Sequence, residues 1–198
     1  MTTPGAFLLL WVWFLCAADG TPAERKVVFH AETVKVFVAS GAVQVEGEYH
    51  FTTASSSPVV AGLFYPIPID STHLFPDSIR VSSGGRLLPY REVKEGIIFD
   101  LRLSKKRVTT AYVYYTQRCL VNSACYILTS TAAWTQPLES ADFEIHIDAD
   151  LELSWITFEI DEVMEDENKV VHRFSRREFV PDKDLCLRWR ERSHTKRL

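Results

Sequence analysis

Residues 108–117 have the sequence VTTAYVYYTQ, and they give the clearest indication of the fold. β-Branched and aromatic residues dominate this stretch, and such side chains suit the pleated surface of a sheet. Residues 43–51, VQVEGEYHF, show a different pattern, in which Val45, Tyr49 and Phe51 alternate with polar residues. A period of two predicts a strand with one buried face and one hydrated face.

Similar short segments follow one another along the 198-residue chain, separated by turn sequences such as SSGG at 82–85. No segment longer than one helical turn has a convincing period of 3.6 residues. Ten or so strands at intervals of about 8–12 residues are typical of a sandwich or a barrel. The sequence therefore predicts an all-β, antiparallel β-sandwich, with two small packed sandwiches meeting near residue 118 as the alternative. The main predicted strands are 34–38, 43–51, 59–69, 77–82, 86–93, 97–103, 108–117, 125–131, 142–153, 170–174 and 185–189.

The strand predicted at 142–153 carries the strongest cluster of acidic residues. Asp148, Asp150 and Glu152 share one parity, which places them on one face about 6.5–7 Å apart. Carboxylates in that arrangement could share a calcium ion or serve as an acid/base pair. The alternative is that they form the hydrated face of an antiparallel sheet, which is polar in any case. Beyond Ser154 the apolar parity switches, which indicates a β-bulge or a strand that turns a corner.

The N-terminal sequence differs from the rest of the chain. Residues 6–18 (AFLLLWVWFLCAA) are an uncharged apolar run of 13 residues. A helix that crosses a bilayer needs about 20 residues, so the run has the length of a signal-peptide core instead. We therefore expect an N-terminal signal helix within a signal peptide at 1–20, with a short membrane tether as the alternative. A β-sandwich domain at 21–187 and a basic tail at 188–198 follow.

The cysteines, like the predicted signal peptide, indicate an exported protein. Cys119 and Cys125 flank five residues and lie across a predicted hairpin. In an oxidising compartment the sequence favours a disulfide between them over two free thiols, worth about 2 kcal/mol through loop entropy. Cys186 lies among strand-like residues and is predicted to be a buried structural thiol, with a disulfide between two chains as the alternative. Together with the signal peptide, this pattern predicts an exported protein of the periplasm, the cell envelope or the external medium.

Known catalytic motifs are absent from the sequence. It contains no G-x-S-x-G, H-E-x-x-H, C-x-x-C or Gly-rich phosphate loop, and its six histidines are not spaced as metal ligands. We therefore expect no enzymatic activity, no cofactor and no metal. The net charge of −4 gives no indication of a nucleic-acid partner. Several large aromatic residues either fill the core or offer platforms for a glycan or a peptide: Trp134, Trp155, Trp189, Tyr114 and Tyr115.

Four short motifs resemble a known family. They are VQVEGEYHF at 43–51, SSSP at 55–58, LFYPIP at 63–68 and a strand ending in YYTQ at 114–117. Through them, this part of the chain (43–117) resembles the β-rich VIT module of inter-alpha-trypsin-inhibitor heavy chains and many bacterial surface proteins, without the longer middle of that module. The resemblance implies a non-catalytic extracytoplasmic interaction domain, and it transfers no site residues.

The sequence as a whole predicts an exported, non-enzymatic β-sandwich with a protein partner or an envelope-associated role. The run 59–69, interrupted by Pro66 and Pro68, is a candidate edge strand for docking. One alternative is a carbohydrate- or ligand-binding module that uses surface aromatics and acids. Another is a hydrolase of unrecognised type that uses the acidic cluster of the 142–153 strand. Membrane contact is expected only through residues 1–20, if they are retained.

Overall fold

The computed structural model describes residues 27–104, 107–134, 136–166 and 168–192. The predicted signal helix and most of the predicted basic tail lie outside the described residues. The described part contains one short 3-10 helix, Thr129–Ala133, and fourteen strands: β1 (Val27–Ala39), β2 (Ala42–Thr53), β3 (Val59–Pro66), β4 (Ser78–Ser83), β5 (Arg86–Leu87), β6 (Tyr90–Val93), β7 (Gly96–Leu103), β8 (Thr109–Arg118), β9 (Ser123–Tyr126), β10 (Leu138–Asp148), β11 (Leu151–Ile156), β12 (Glu162–Asp166), β13 (Lys169–Phe179) and β14 (Leu185–Glu191). No helix in the described ranges is long and apolar enough to cross a membrane.

The prediction of an all-β sandwich is confirmed. The strands form one sheet of eight, in the order β12-β13-β10-β1-β2-β8-β4-β5, and two sheets of three, β11-β14-β9 and β3-β7-β6. All pairings are antiparallel except that of β1 with β10, which is parallel. The edge position expected for the 59–69 run is also confirmed, because β3 lies at the edge of its sheet.

The hydrophobic core lies on one side of the eight-stranded sheet. Alternating residues of β1 and β2, such as Val34, Val36 and Val45, point to this side, as the period of two predicts. Both three-stranded sheets contribute to the same buried cluster, for example through Leu101 and Leu187. We call this side the inner face and the opposite side of the eight-stranded sheet the outer face.

The strand predicted at 142–153 is wrong as a single element. β10 ends at Asp148, a turn at 149–150 follows, and β11 joins a different sheet. The parity switch beyond Ser154 is nevertheless explained, because the pairing of β11 with β14 shifts register between Leu153 and Trp155. The chain passes from one sheet to the other at the turn 149–150, which is earlier than the parity switch beyond Ser154 indicates.

The predicted Cys119–Cys125 disulfide is also wrong. Cys125 is bonded to Cys186, which lies directly opposite it on β14, with the Cα atoms 4.0 Å apart. Cys119 is a buried free thiol, and the prediction of Cys186 as an unpaired thiol fails with it. The reason is that β8 and β9 do not form a hairpin. The chain leaves the eight-stranded sheet after β8, and β9 pairs with β14 in another sheet.

Candidate functional site

The three acids of the predicted ion-binding face lie on three different elements. Asp148 ends β10 opposite Lys169, Asp150 lies in the following turn, and Glu152 on β11 forms an ion pair with Arg190. Because the chain changes sheet within this segment, the carboxylates do not share one strand face. Within the described ranges, no group of three or more His, Cys, Asp or Glu side chains is placed to hold a metal ion.

The large aromatic residues divide between the core and the surface. Trp189 and Tyr115 are buried, and Trp134 packs against the rings of Phe29 and Phe51. Trp155 is 49% exposed, and the guanidinium of Arg188 lies 5.5 Å from the centre of its ring. Of the five aromatic candidates, Trp155 is the only one that is exposed rather than buried or half-buried, and it lies on a small sheet rather than beside the tyrosines of β8.

The outer face carries charged and polar side chains in an ordered arrangement. Glu144 on β10 contacts Lys35 at 3.5 Å, Arg173 at 3.0 Å and His146 at 3.0 Å. Partial burial acts to raise the pKa of Glu144, but the hydrogen bond from His146 and the charges of Lys35 and Arg173 outweigh it and hold that pKa below its usual value. The ring of Phe37 stacks on His146 beside this group.

A shallow depression of about 360 Å³ lies on the other half of the outer face, across β1, β2, β8 and β4. Tyr112 is 44% exposed there, and Tyr114, two residues along the same strand, donates a hydrogen bond to Gln44 at 3.1 Å. The guanidinium of Arg80 lies 4.8 Å from the centre of the Tyr114 ring. We call this surface the tyrosine patch, and the side chains that define it are Lys35, Glu46, Glu48, Arg80, Ser82, Tyr112 and Tyr114.

The inner face of the same strands holds a buried acid. Glu32 on β1 is 1% exposed, and its Oε2 accepts a hydrogen bond from the hydroxyl of Tyr126 at 3.2 Å. Its other oxygen has no hydrogen-bond partner among the residues that the structure describes. Burial raises the pKa of Glu32 to about 7, and the bond from Tyr126 offsets only part of that rise.

Two more tyrosines continue this network. The hydroxyl of Tyr49 on β2 lies 2.9 Å from that of Tyr126 on β9 and 2.9 Å from that of Tyr65 on β3. Burial raises the pKa of all three phenols well above the usual value, so they are neutral hydrogen-bonding groups at any physiological pH. We call Glu32, Tyr126, Tyr49 and Tyr65 the acid–tyrosine cluster.

Gly47 makes room for this cluster. It occupies an inward-facing position of β2, where a Cβ atom would overlap the hydroxyl and ring of Tyr49. The Tyr49 ring therefore lies along its own strand and covers the glycine, an arrangement that compensates for the missing side chain. This explains why a glycine interrupts an otherwise good strand sequence.

A second cluster, around Cys119, is structural. His73 contacts Asp70 at 3.0 Å through Nδ1 and the carbonyl of Ser123 at 3.0 Å through Nε2, so both ring nitrogens are engaged. Asp70 also accepts bonds from Thr72, which fixes the turn. Burial raises the pKa of the neighbouring Cys119 thiol to about 11. A thiol that remains protonated at neutral pH is a poor nucleophile, so this cluster fastens a loop to β8 rather than forming a reactive dyad.

Comparison with known proteins identifies the fold only. No family model and no curated protein match the sequence. A proposed nutrient binding protein from Legionella pneumophila superposes with a TM-score of 0.67 at 11% identity, over 83% of this chain and 67% of that protein. An M1 zinc metallopeptidase from Deinococcus radiodurans superposes with a TM-score of 0.53 at 8% identity, over 83% of this chain and 43% of the peptidase. The chain thus spans less than half of the peptidase, and fold likeness at such identities does not transfer an activity.

Sequence reasoning missed Glu32, although a signal for it was present. Glu32 has the same parity as Val34, Val36 and Val38, all of which are buried. The strand predicted from the sequence begins at Val34, two residues after Glu32. A charged residue in phase with a buried alternation is a candidate buried acid, and β1 begins early enough to include it.

Proposed function

We propose that the chain is an exported, non-enzymatic binding module whose tyrosine patch docks a protein partner. The observation that carries the proposal is the asymmetry of the eight-stranded sheet. Its inner face packs against both small sheets, whereas the outer face presents the exposed Tyr112 and the half-buried Tyr114 beside Arg80 in a shallow depression.

The composition of the patch favours a protein surface as ligand. Tyrosine and arginine are the residues most enriched at the energetic centres of protein interfaces. Lys35 and Arg80 lie on the same surface as Glu46 and Glu48, so the patch offers both signs of charge. A shallow, mixed-charge surface is typical of protein docking, whereas small-molecule sites are usually enclosed and mostly apolar.

A crosslinking experiment in the source organism tests this proposal. A photoreactive amino acid at Ser82, inside the patch, is expected to give one discrete adduct with a protein. The same group at Arg102, an exposed position on β7, is expected to give none. Adding Tyr112→Ala and Arg80→Ala should abolish the Ser82 adduct. Equal adducts from both positions, or an adduct that survives the double substitution, would rule out the patch as the docking surface.

A polar small ligand or a carbohydrate is the second candidate, and one finding favours it. The Legionella pneumophila protein of the same fold is described as a proposed nutrient binding protein. Tyr112 and Tyr114 supply aromatic faces, and Glu48 and Arg80 supply hydrogen-bonding groups around the depression. Saturable NMR shifts at these residues with an oligosaccharide, in the absence of a protein adduct, would select this candidate.

Export rests on the apolar run at 6–18 and on the Cys125–Cys186 disulfide, which is compatible with an oxidising compartment. We expect the mature protein to begin after Ala18 or Gly20, as N-terminal sequencing of the protein from its native cells would show. We also expect the mass of its peptides to show a Cys125–Cys186 link and a single cysteine, Cys119, that is alkylated after unfolding. A mature protein that keeps residue 1 and has three alkylated thiols among Cys119, Cys125 and Cys186 would contradict export.

A further inference from the structure

We propose that the acid–tyrosine cluster is a proton-binding latch, which holds the two small sheets on the large one when Glu32 carries a proton and loosens them when the proton leaves. Its position suits that role. Glu32 and Tyr49 belong to the eight-stranded sheet, Tyr65 to the β3-β7-β6 sheet and Tyr126 to the β11-β14-β9 sheet. A single chain of hydrogen bonds therefore touches all three sheets.

The donors in this chain follow from counting protons. Each phenol has one hydrogen, and that of Tyr126 is directed to Glu32. With an ionised Glu32 as the final acceptor, Tyr49 donates the contact to Tyr126 and Tyr65 donates the contact to Tyr49. When Glu32 is protonated, its own O–H can donate to Tyr126 and the chain can run the other way, so the direction of all three bonds is tied to the protonation state of the carboxyl.

The carboxyl has poor support for a negative charge. An ionised carboxylate has two oxygens that each need donors, but Oε1 of Glu32 has none and Oε2 has one phenol. A buried charge with so few partners costs far more free energy than a neutral carboxyl in the same place. Loss of the proton therefore favours any rearrangement that admits water to the cluster.

Within the described structure, no positively charged group lies beside Glu32 to compensate the negative charge of its ionised carboxylate. The titratable groups that face Glu32 are phenols, from β9 (Tyr126), from β2 (Tyr49) and, one step further, from β3 (Tyr65). On β10 the residue in register with Glu32 is Ala141. His30, on β1 itself, is engaged by Glu139 and Thr52 instead. Burial is therefore the main influence on the charge of Glu32, and the hydrogen bond from Tyr126 opposes it only in part.

The sign of the pH effect follows from the two states. In the unfolded chain Glu32 loses its proton near its ordinary pKa of 4.5, and in the folded chain near 7. Between these pH values the folded state binds more protons at Glu32 than the unfolded state does. The stabilisation that Glu32 contributes is therefore complete below about pH 4.5 and is lost as the pH rises through 7. From the two pKa values, the folding equilibrium constant falls about 70-fold between pH 5 and pH 8.

Urea unfolding of the mature protein with its disulfide intact tests the latch. We expect the wild type to show this fall between pH 5 and pH 8, Glu32→Gln to lack it, and the surface variant Glu152→Gln to behave as the wild type. Hydrogen exchange should show protection factors in β3 and β9 that decrease with pH in the wild type and not in Glu32→Gln. Identical pH profiles for the wild type and Glu32→Gln would overturn the proposal.

If Glu32→Gln does not fold, the wild type still decides the question. A carbon-detected NMR titration of its glutamate side chains should show one carboxyl with a midpoint near pH 7, as against the ordinary value of 4.5. Midpoints below about 5.5 for every glutamate would overturn the latch, given the normal range of this side chain. Because the tyrosine patch lies on the opposite face of the sheet, neither result bears on whether the patch binds a partner.

Discussion

Tyr114 and Tyr115 are neighbours on β8, yet their surroundings are opposite. Tyr115 points to the inner face, is 1% exposed and packs edge-on against Tyr65. Tyr114 points to the outer face, where it bonds Gln44 and lies beneath Arg80. The same contrast holds between the acid–tyrosine cluster and the tyrosine patch as wholes. Residue type therefore does not decide which tyrosines of this chain are available for the docking that we propose. The side of the sheet does, because burial decides whether a phenol is available to a partner.

The disulfide is expected to contribute strongly to the free energy of unfolding, although its two cysteines point outward. Cys125 and Cys186 point away from the core, but they close a loop across a separation of 61 residues. Cys125→Ser together with Cys186→Ser is expected to lower the free energy of unfolding by about 4 kcal/mol, by the loop-entropy relation. Chemical denaturation measures it. The control is Cys119→Ala, which keeps the bridge. A loss in that control as large as in the double variant would favour the Cys119–Cys125 pairing instead.

Gly47→Ala tests how tightly the inner face is packed. The new Cβ would overlap Tyr49, whose displacement breaks its bonds to Tyr65 and Tyr126. We expect a loss of about 3 kcal/mol, at the upper end for overpacking a core. Thermal and urea unfolding measure the loss. Gly62→Ala on β3 is the matched control, because its Cβ meets only Asp100 at an ordinary 3.6 Å. Equal effects of the two substitutions would contradict the role assigned to Gly47.

Removing one hydroxyl on each face compares the two groups of tyrosines directly. Tyr49→Phe deletes a buried group with two hydrogen-bond partners and should cost about 2 kcal/mol. Tyr114→Phe deletes a hydroxyl at the surface and should cost less than about 0.5 kcal/mol. Urea unfolding at pH 6 measures both. Similar costs for the two variants would show that the hydroxyls of the two faces contribute alike to stability.

Tyr112→Ala is expected to have the smallest effect on stability and a large effect on partner binding. Tyr112 lies 44% exposed on the tyrosine patch, so its loss should change the free energy of unfolding by no more than about 0.5 kcal/mol. The same substitution should weaken partner binding at least tenfold, because exposed tyrosines often dominate interfaces. Unfolding and titration with the crosslinked partner, once that partner is identified, provide the two measurements. A variant that unfolds easily but binds normally would reverse the assignment.

The strands themselves follow from the sequence. Periods of two at 43–51 and β-branched density at 108–117 depend only on neighbouring residues, and both segments are strands in the structure. The segment predicted as a strand at 125–131 ends at Tyr126, where the 3-10 helix Thr129–Ala133 follows soon after. Local pattern thus gives the class of fold and most of the elements, and it is weakest where the chain changes sheet.

The sequence by itself predicted an all-β sandwich and an irregularity beyond Ser154, and the prolines of the 59–69 run favoured an edge, because each of these signals depends on the order of side chains along the chain. Only the tertiary structure decided which strands are neighbours. That choice paired Cys125 with Cys186 rather than with Cys119, separated Asp148 from Glu152 and placed Glu32 among three tyrosines from three other strands. The physical reason is that burial and pairing depend on residues far apart in the chain, and the alternation within one strand says nothing about what covers its apolar side.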